Sequence, residues 1–132
     1  MIVIDSSALV AIIFDEPEKA AFERAIRSAG ISLISAVNAH ETATVLRLRQ
    51  GAAAVERLWE ILKLGGIEIV PFDEEQVLAA AEAYGRYGKG IHSRARLNLA
   101  DCAAYALAKA MDAPLLFKGD DFGHTDVKTC AS

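Results

Sequence analysis

Carboxylates occur at four places in this chain where the surrounding sequence is apolar or forms a turn. Asp5 closes the run MIVID, and Glu41 lies in SAVNAHETATVL. Asp101 is the only charged residue between Leu97 and Ala108, in LNLADCAAYALA, while Asp120 and Asp121 follow an apolar pair in LLFKGDDF. Each has an ordinary structural explanation. Asp5 suits the N-cap of a helix beginning near Ser6. Glu41, near a helix start, is favoured by the helix dipole and can lean out to water. Asn98-Leu99-Ala100-Asp101 has the spacing of a capping box, although that motif prefers Glu or Gln at its last position. A Gly-Asp-Asp stretch is common in turns. Together the four places say more, because bunched carboxylates repel and raise one another's pKa unless a cation neutralises them. Hard oxygen ligands suit Mg2+ or Mn2+. Such ions orient and acidify an attacking water and steady the leaving oxygen of an in-line displacement. The chemistry this implies is hydrolysis of a phosphodiester.

The elements must bring these acids together. Four segments read as strands: Met1–Asp5, Ile31–Ser35, Ile67–Pro71 and Leu115–Phe117, with a further short one near Val127–Thr129. Met1–Asp5 is short, apolar and rich in β-branched residues, as a strand buried on both faces should be. Helical segments lie between them: Ser6–Phe14, Pro17–Ala29 with proline in its first turn, Ala36–Gln50 and Ala52–Leu64 joined at Gly51, Glu74–Tyr87, and Asn98–Ala110. Alternating strands and helices predict an α/β fold with a mostly parallel central sheet covered on both faces. Open parallel sheets bind ligands beyond the carboxyl ends of their strands, which is where Asp5 falls. On the helix from Ala36, a step of about 100° per residue places Val37, Val45 and Leu48 in one apolar stripe with Glu41 in its middle. A buried, unpaired carboxylate there would be costly.

Composition narrows the classes. The 132 residues fit one domain spanning 1–132, and 53% hydrophobic with 24% charged residues predicts a packed core rather than disorder. Two cysteines, Cys102 and Cys130, lack paired spacing; they suit a reducing compartment and cannot form a Cys-rich zinc site. Met1 leads straight into apolar residues without a basic stretch, and no uncharged apolar run approaches the ~20 residues that span a bilayer, so a soluble, cytoplasmic protein with no membrane partner is expected. The net charge of -4 argues against a general phosphate binder. Bound divalent cations would reverse that balance locally, and the stretch RYGKGIHSRAR carries Arg86, Lys89, Arg94 and Arg96 with no acid. The alternative for that stretch is a solvated loop. His40, His92 and His124 share no metal-ligand spacing, and Trp59 and the tyrosines form no evident base-stacking platform.

At this point the chain resembles the PIN-domain nucleases, and among them the VapC-type toxins of bacterial toxin–antitoxin pairs. The blocks that carry the likeness are MIVIDSSALVAIIFDEPE, SAVNAHETATVL, LNLADCAAYALAKAMDAPLLFKGDDF and GHTDVK, in that order along nearly the whole chain. The resemblance implies a three-layer α/β/α sandwich and a Mg2+- or Mn2+-dependent endoribonuclease acting on RNA. It also implies a homodimer, and a VapB-type antitoxin whose C-terminal segment blocks the site. Position by position, it makes Asp5, Glu41 and Asp101 the first three acids, with Asp5 and Asp101 most directly holding metal. The fourth is Asp120, or Asp121 if the tight loop slips by one. Ser7 matches the hydroxyl residue beside the first acid, and Asn98 the polar neighbour of the third. Arg94 and Arg96 are candidate RNA contacts.

Other readings compete. A haloacid-dehalogenase-like phosphatase needs a second aspartate two residues after the first, where this chain has Ser7. A phosphoacceptor receiver domain puts its aspartate after a middle strand and needs a paired lysine, for which Lys118 is only a loose candidate. A non-catalytic RNA-binding or assembly module of the same fold has no use for four retained acids. A housekeeping RNA-processing nuclease differs from a toxin by the lack of a small antitoxin reading frame immediately upstream.

Overall fold

The computed structural model describes residues 1–130; residues 131 and 132, the end of the expected 1–132 domain, lie outside the described ones. Four strands form one parallel sheet: β1 (Ile2–Ile4), β2 (Ser32–Ser35), β3 (Ile67–Val70) and β4 (Leu115–Leu116), in the order β3-β2-β1-β4. In register, Val3 lies opposite both Leu33 and Leu115. Six α-helices fill the connections: α1 (Ser6–Ile13), α2 (Lys19–Ala29), α3 (Ala36–Gln50), α4 (Ala52–Leu64), α5 (Glu74–Tyr87) and α6 (Leu99–Ala110). The fold is the expected α/β/α sandwich, and alternation along the strands builds its two cores. Ile2 and Ile4 of β1, with Ile34 of β2, pack beneath α1–α4 against Leu9, Leu46 and Leu58. Val3, Leu33 and Leu115 face α5 and α6, against Leu97, Tyr105, Leu107 and Phe122. No helix among the described residues is long and apolar enough to cross a membrane.

Strand order places the functional region. The chain adds β2 and β3 on one side of β1, then returns to add β4 on the other, so the order reverses at β1. The carboxyl ends of β1 and β4 flank that switch point, where parallel sheets open a crevice. Short polar residues start the helices that leave it. Asp5 caps α1, Ser35 caps α3 through a bond from Val37 N–H, and Asn98 caps α6.

Three sequence expectations are corrected. Helix α2 begins at Lys19 rather than Pro17, because residues 17 and 18 form a turn closed by a bond from Lys19 N–H to the Glu16 carbonyl. The segment near Val127–Thr129 contributes a single bridge from Thr129 to Leu115 rather than a strand. On α3 the apolar stripe is not the inner face: Leu48 is 81% exposed, and the buried residues are Asn38, Ala39, Thr42 and Leu46. Polar groups can line that face because they are hydrogen-bonded there; Thr42 Oγ1 donates to the Asn38 carbonyl at 2.7 Å.

The basic stretch after α5 is held rather than loose. Gly88 and Leu97 form a parallel bridge, Lys89 N–H donates to Leu97 O, and the Tyr84 hydroxyl donates to Lys89 O at 2.8 Å. Its closure depends on Gly88, where a Cβ would fall 2.5 Å from the Tyr84 carbonyl oxygen and 2.6 Å from the Tyr84 ring. Gly88→Ala should therefore destabilise the protein by about 1–3 kcal/mol, read as a lower melting temperature. A melt unchanged from wild type would show that the α5 terminus absorbs the methyl without strain.

Candidate active site

Asp5 is 3% exposed at the end of the central strand. Its Oδ2 accepts from Ser7 N–H at 3.0 Å and from Ser7 Oγ at 2.6 Å, so it caps α1 as an aspartate in that position should. Its Oδ1 is equally buried and has no hydrogen-bond partner among the described residues. Burial raises the Asp5 carboxyl to about 6; the two bonds from Ser7 oppose this, and the Glu41 charge adds to it. The cap thus explains one oxygen of Asp5 and leaves the other unexplained.

Asp101 has the same double character. The capping box is complete: Asn98 N–H donates to Asp101 Oδ2 at 2.9 Å, and Asp101 N–H donates to Asn98 Oδ1 at 2.8 Å. Yet the carboxyl is pushed up to about 7, first by burial and then by the charges of Asp5, Glu41 and Asp121, against the bond from Asn98. Glu41, half-buried on α3, acts on both aspartates. Four acids from β1, α3, α6 and the turn after β4 therefore share one electrostatic neighbourhood.

Of the Asp120–Asp121 pair, Asp121 is the residue whose charge is felt at Asp101. Asp120 precedes the 3-10 turn Asp121–His124 and, like Asp121, is exposed. Among the described residues, no three Asp, Glu, His or Cys side chains are gathered closely enough to enclose a metal by themselves. A groove of about 430 Å³ between α2 and α4 contains none of the four acids.

Ser7 lies between Asp5 and the segment after β4. Its hydroxyl donates to Asp5 and accepts from Lys118 N–H at 2.9 Å, linking the first acid to the segment after β4. The Lys118 ammonium meets Glu16 at 2.9 Å and Glu18 at 3.4 Å, pinning that segment to the turn after α1. Sequence reasoning does not find this link, because a backbone N–H leaves no signature in side-chain types. Arg94 and Arg96 are exposed on the loop that runs directly into the Asn98 cap, Arg96 with a left-handed φ of 50°. His92 organises the loop rather than facing the acids: its Nδ1 accepts from Arg94 N–H at 3.1 Å and Ala95 N–H at 2.9 Å.

Comparison with known proteins agrees with this architecture. The PIN domain family model matches residues 2–128. The chain is similar to Ribonuclease VapC30 of Mycobacterium tuberculosis, 46% identical over 129 residues that cover 98% of each protein. Its fold is similar to the crystal structure of Mycobacterium tuberculosis VapC20, with a TM-score of 0.80 at 16% identity over the full length of both chains. It is also similar to a chain of a toxin–antitoxin complex from Klebsiella pneumoniae, with a TM-score of 0.70 at 15% identity, covering 96% of this chain and 93% of that one. The chain belongs to the PIN-domain family, in its VapC-type branch.

Burial of these acids, with their mutual repulsion, makes stability depend on pH. In the unfolded chain these carboxyls ionise near 3.8, whereas the folded protein holds their protons up to about 6 at Asp5 and about 7 at Asp101. Between roughly pH 4 and pH 7 the native, metal-free state binds more protons than the unfolded one, so stability falls as pH rises through that window. Asp101→Asn keeps an acceptor for Asn98 N–H and removes one charge. Its melting temperature should match or trail wild type at pH 4 and exceed it by a few degrees at pH 8. A variant that melts below wild type at both pH values would mean that Asp101 serves as a cap and nothing more.

Proposed function

We propose that this protein is a metal-dependent endoribonuclease that hydrolyses RNA phosphodiester bonds, and that it is the toxin of a toxin–antitoxin pair restrained by a VapB-type antitoxin. The observation that carries the reading is the buried, unpartnered Oδ1 of Asp5 beside the charges of Glu41 and Asp101. A buried carboxylate oxygen without a donor calls for a cation. The donor set is all carboxylate, which suits Mg2+ or Mn2+ rather than zinc. Among the described residues no three such side chains enclose an ion by themselves; Mg2+ is held through one or two carboxylates and keeps waters or substrate phosphate as its other ligands. Asp5 and Asp101 would hold it, with Glu41 and Asp121 (or Asp120) completing the pocket. When bound, it would supply the positive charge that activates water and steadies the leaving oxygen.

The remaining work falls to the chain's own groups. Ser7 and the Lys118 N–H fix the orientation of the Asp5 carboxylate. Asn98 holds Asp101 through the capping box. Arg94 and Arg96 carry RNA phosphates toward the acids from the loop that leads into α6. The homodimer reading is supported by an apolar hollow of about 220 Å³ lined by Val77, Tyr84 and Leu99, each of them exposed. The likeness to a ribonuclease and to a chain of a toxin–antitoxin complex supports the toxin reading.

Cleavage of a single-stranded or looped RNA should be lost in excess EDTA, return with Mn2+ or Mg2+, and drop to background in Asp5→Asn. Products should carry 5′-phosphate and 3′-hydroxyl ends. Full cleavage in EDTA, or 2′,3′-cyclic phosphate ends, would overturn the metal-dependent mechanism.

The loop is tested separately. Arg94→Ala with Arg96→Ala should weaken RNA binding and flatten its salt dependence by about 0.7 in log–log slope for each single-strand phosphate that the loop no longer neutralises. Unchanged affinity and slope would remove the loop from the RNA path.

A further inference from the structure

We propose that Asn38 is a positioning residue of the acidic site, holding the elements that carry Asp5, Glu41 and Asp101 in one arrangement through its buried side-chain amide. The inference rests on the reading of these acids as a metal pocket. Asn38 lies on α3 with no exposed surface. Its Nδ2 donates to the Ala100 carbonyl at 3.0 Å and to Ser6 Oγ at 3.2 Å. The Ser6 hydroxyl in turn donates to the Asn38 carbonyl at 3.2 Å. The amide has only one allowed orientation, because a backbone carbonyl such as that of Ala100 can only accept.

Every partner in this network adjoins an acid. Ser6 follows Asp5, Ala100 precedes Asp101, and Asn38 lies one helical turn before Glu41 on the same side of α3. The bonds join residues 32 and 62 positions apart in sequence, so one side chain ties together the starts of α1 and α6 across α3. Stability alone does not account for it. Asn38 Oδ1 is buried and has no partner among the described residues, a penalty that an apolar side chain of similar volume would avoid. Removing the amide would also strand nothing. Ser6 Oγ keeps its bond to the backbone carbonyl of residue 38, and Ala100 O lies within α6, where the helix supplies a donor. What the amide adds is a fixed relation between the three acid-bearing elements.

The test measures Mn2+ uptake by the metal-free protein through the free-ion electron paramagnetic resonance signal, alongside kcat and KM on a single-stranded RNA. Asn38→Leu should remain folded with a cooperative melt, bind Mn2+ about tenfold to a hundredfold more weakly, and lose kcat while KM changes little. Thr44→Val, on the exposed side of the same helix and bonded to the His40 carbonyl, outside this network, should keep the wild-type Mn2+ affinity. If Asn38→Leu fails to fold, Ser6→Ala carries the test, since it removes one hydroxyl of the network with little change in volume; it should bind Mn2+ several-fold more weakly. Wild-type Mn2+ affinity and kcat in a folded Asn38→Leu, or in Ser6→Ala if that variant is the one tested, would overturn the positioning role and leave the metal pocket standing. A wild-type protein that takes up no Mn2+ would overturn both.

Discussion

A carboxylate at the buried end of a central strand must have its charge met by something. At Asp5 the protein meets half of it: one oxygen takes two bonds from Ser7 and starts α1, and the other is left buried without a donor. Much of the surrounding structure follows from that. The strand order reverses at β1, which opens the crevice beside Asp5. The helices that leave the carboxyl edge are capped by short polar residues, which brings further carboxylates and amides to the same edge. Burial first, and the like charges drawn together second, hold both aspartates well above the ordinary carboxyl range.

The two explanations available for each aspartate, helix cap and functional acid, turn out not to compete. Asp5 and Asp101 each use Oδ2 as a cap acceptor. A carboxylate has more acceptor capacity than one cap consumes, so the cap leaves the rest of the group available to the proposed metal pocket. This also accounts for an aspartate in the last position of the α6 capping box, where Glu or Gln is preferred. The shorter side chain keeps the carboxylate close to the helix start.

Much of this is legible in the sequence. Most strand and helix bounds can be read to within one or two residues, because β-branched runs, glycine stops and polar caps agree with one another. Asp5, Glu41 and Asp101 stand out as charges in apolar surroundings. The inner face of α3 is not legible. Periodicity weighs Val37, Val45 and Leu48 as core, whereas hydrogen bonds across the fold and within α3 let Asn38 and Thr42 line the buried face. For the same reason Asn38 and the Lys118 N–H leave no trace in the sequence: their partners are remote and are partly backbone. The apolar stripe that singles out Glu41 is not the buried face of α3, and Glu41 lies among the acids because α3 follows β2 to the carboxyl edge of the sheet.

The late pairing of β4 with β1 has a consequence for synthesis. β1 is made before the other strands, yet one of its neighbours comes from residues 115 and 116, and the bond from Lys118 that steadies Ser7 comes later still. Any stretch of chain that contains Asp5, Asp101 and Asp121 together spans most of the domain. A nascent chain emerging from the ribosome therefore cannot assemble the acidic edge until almost all of the domain has been translated. The edge stays incomplete through most of biosynthesis, until the strand that carries residues 115 and 116 is available to dock.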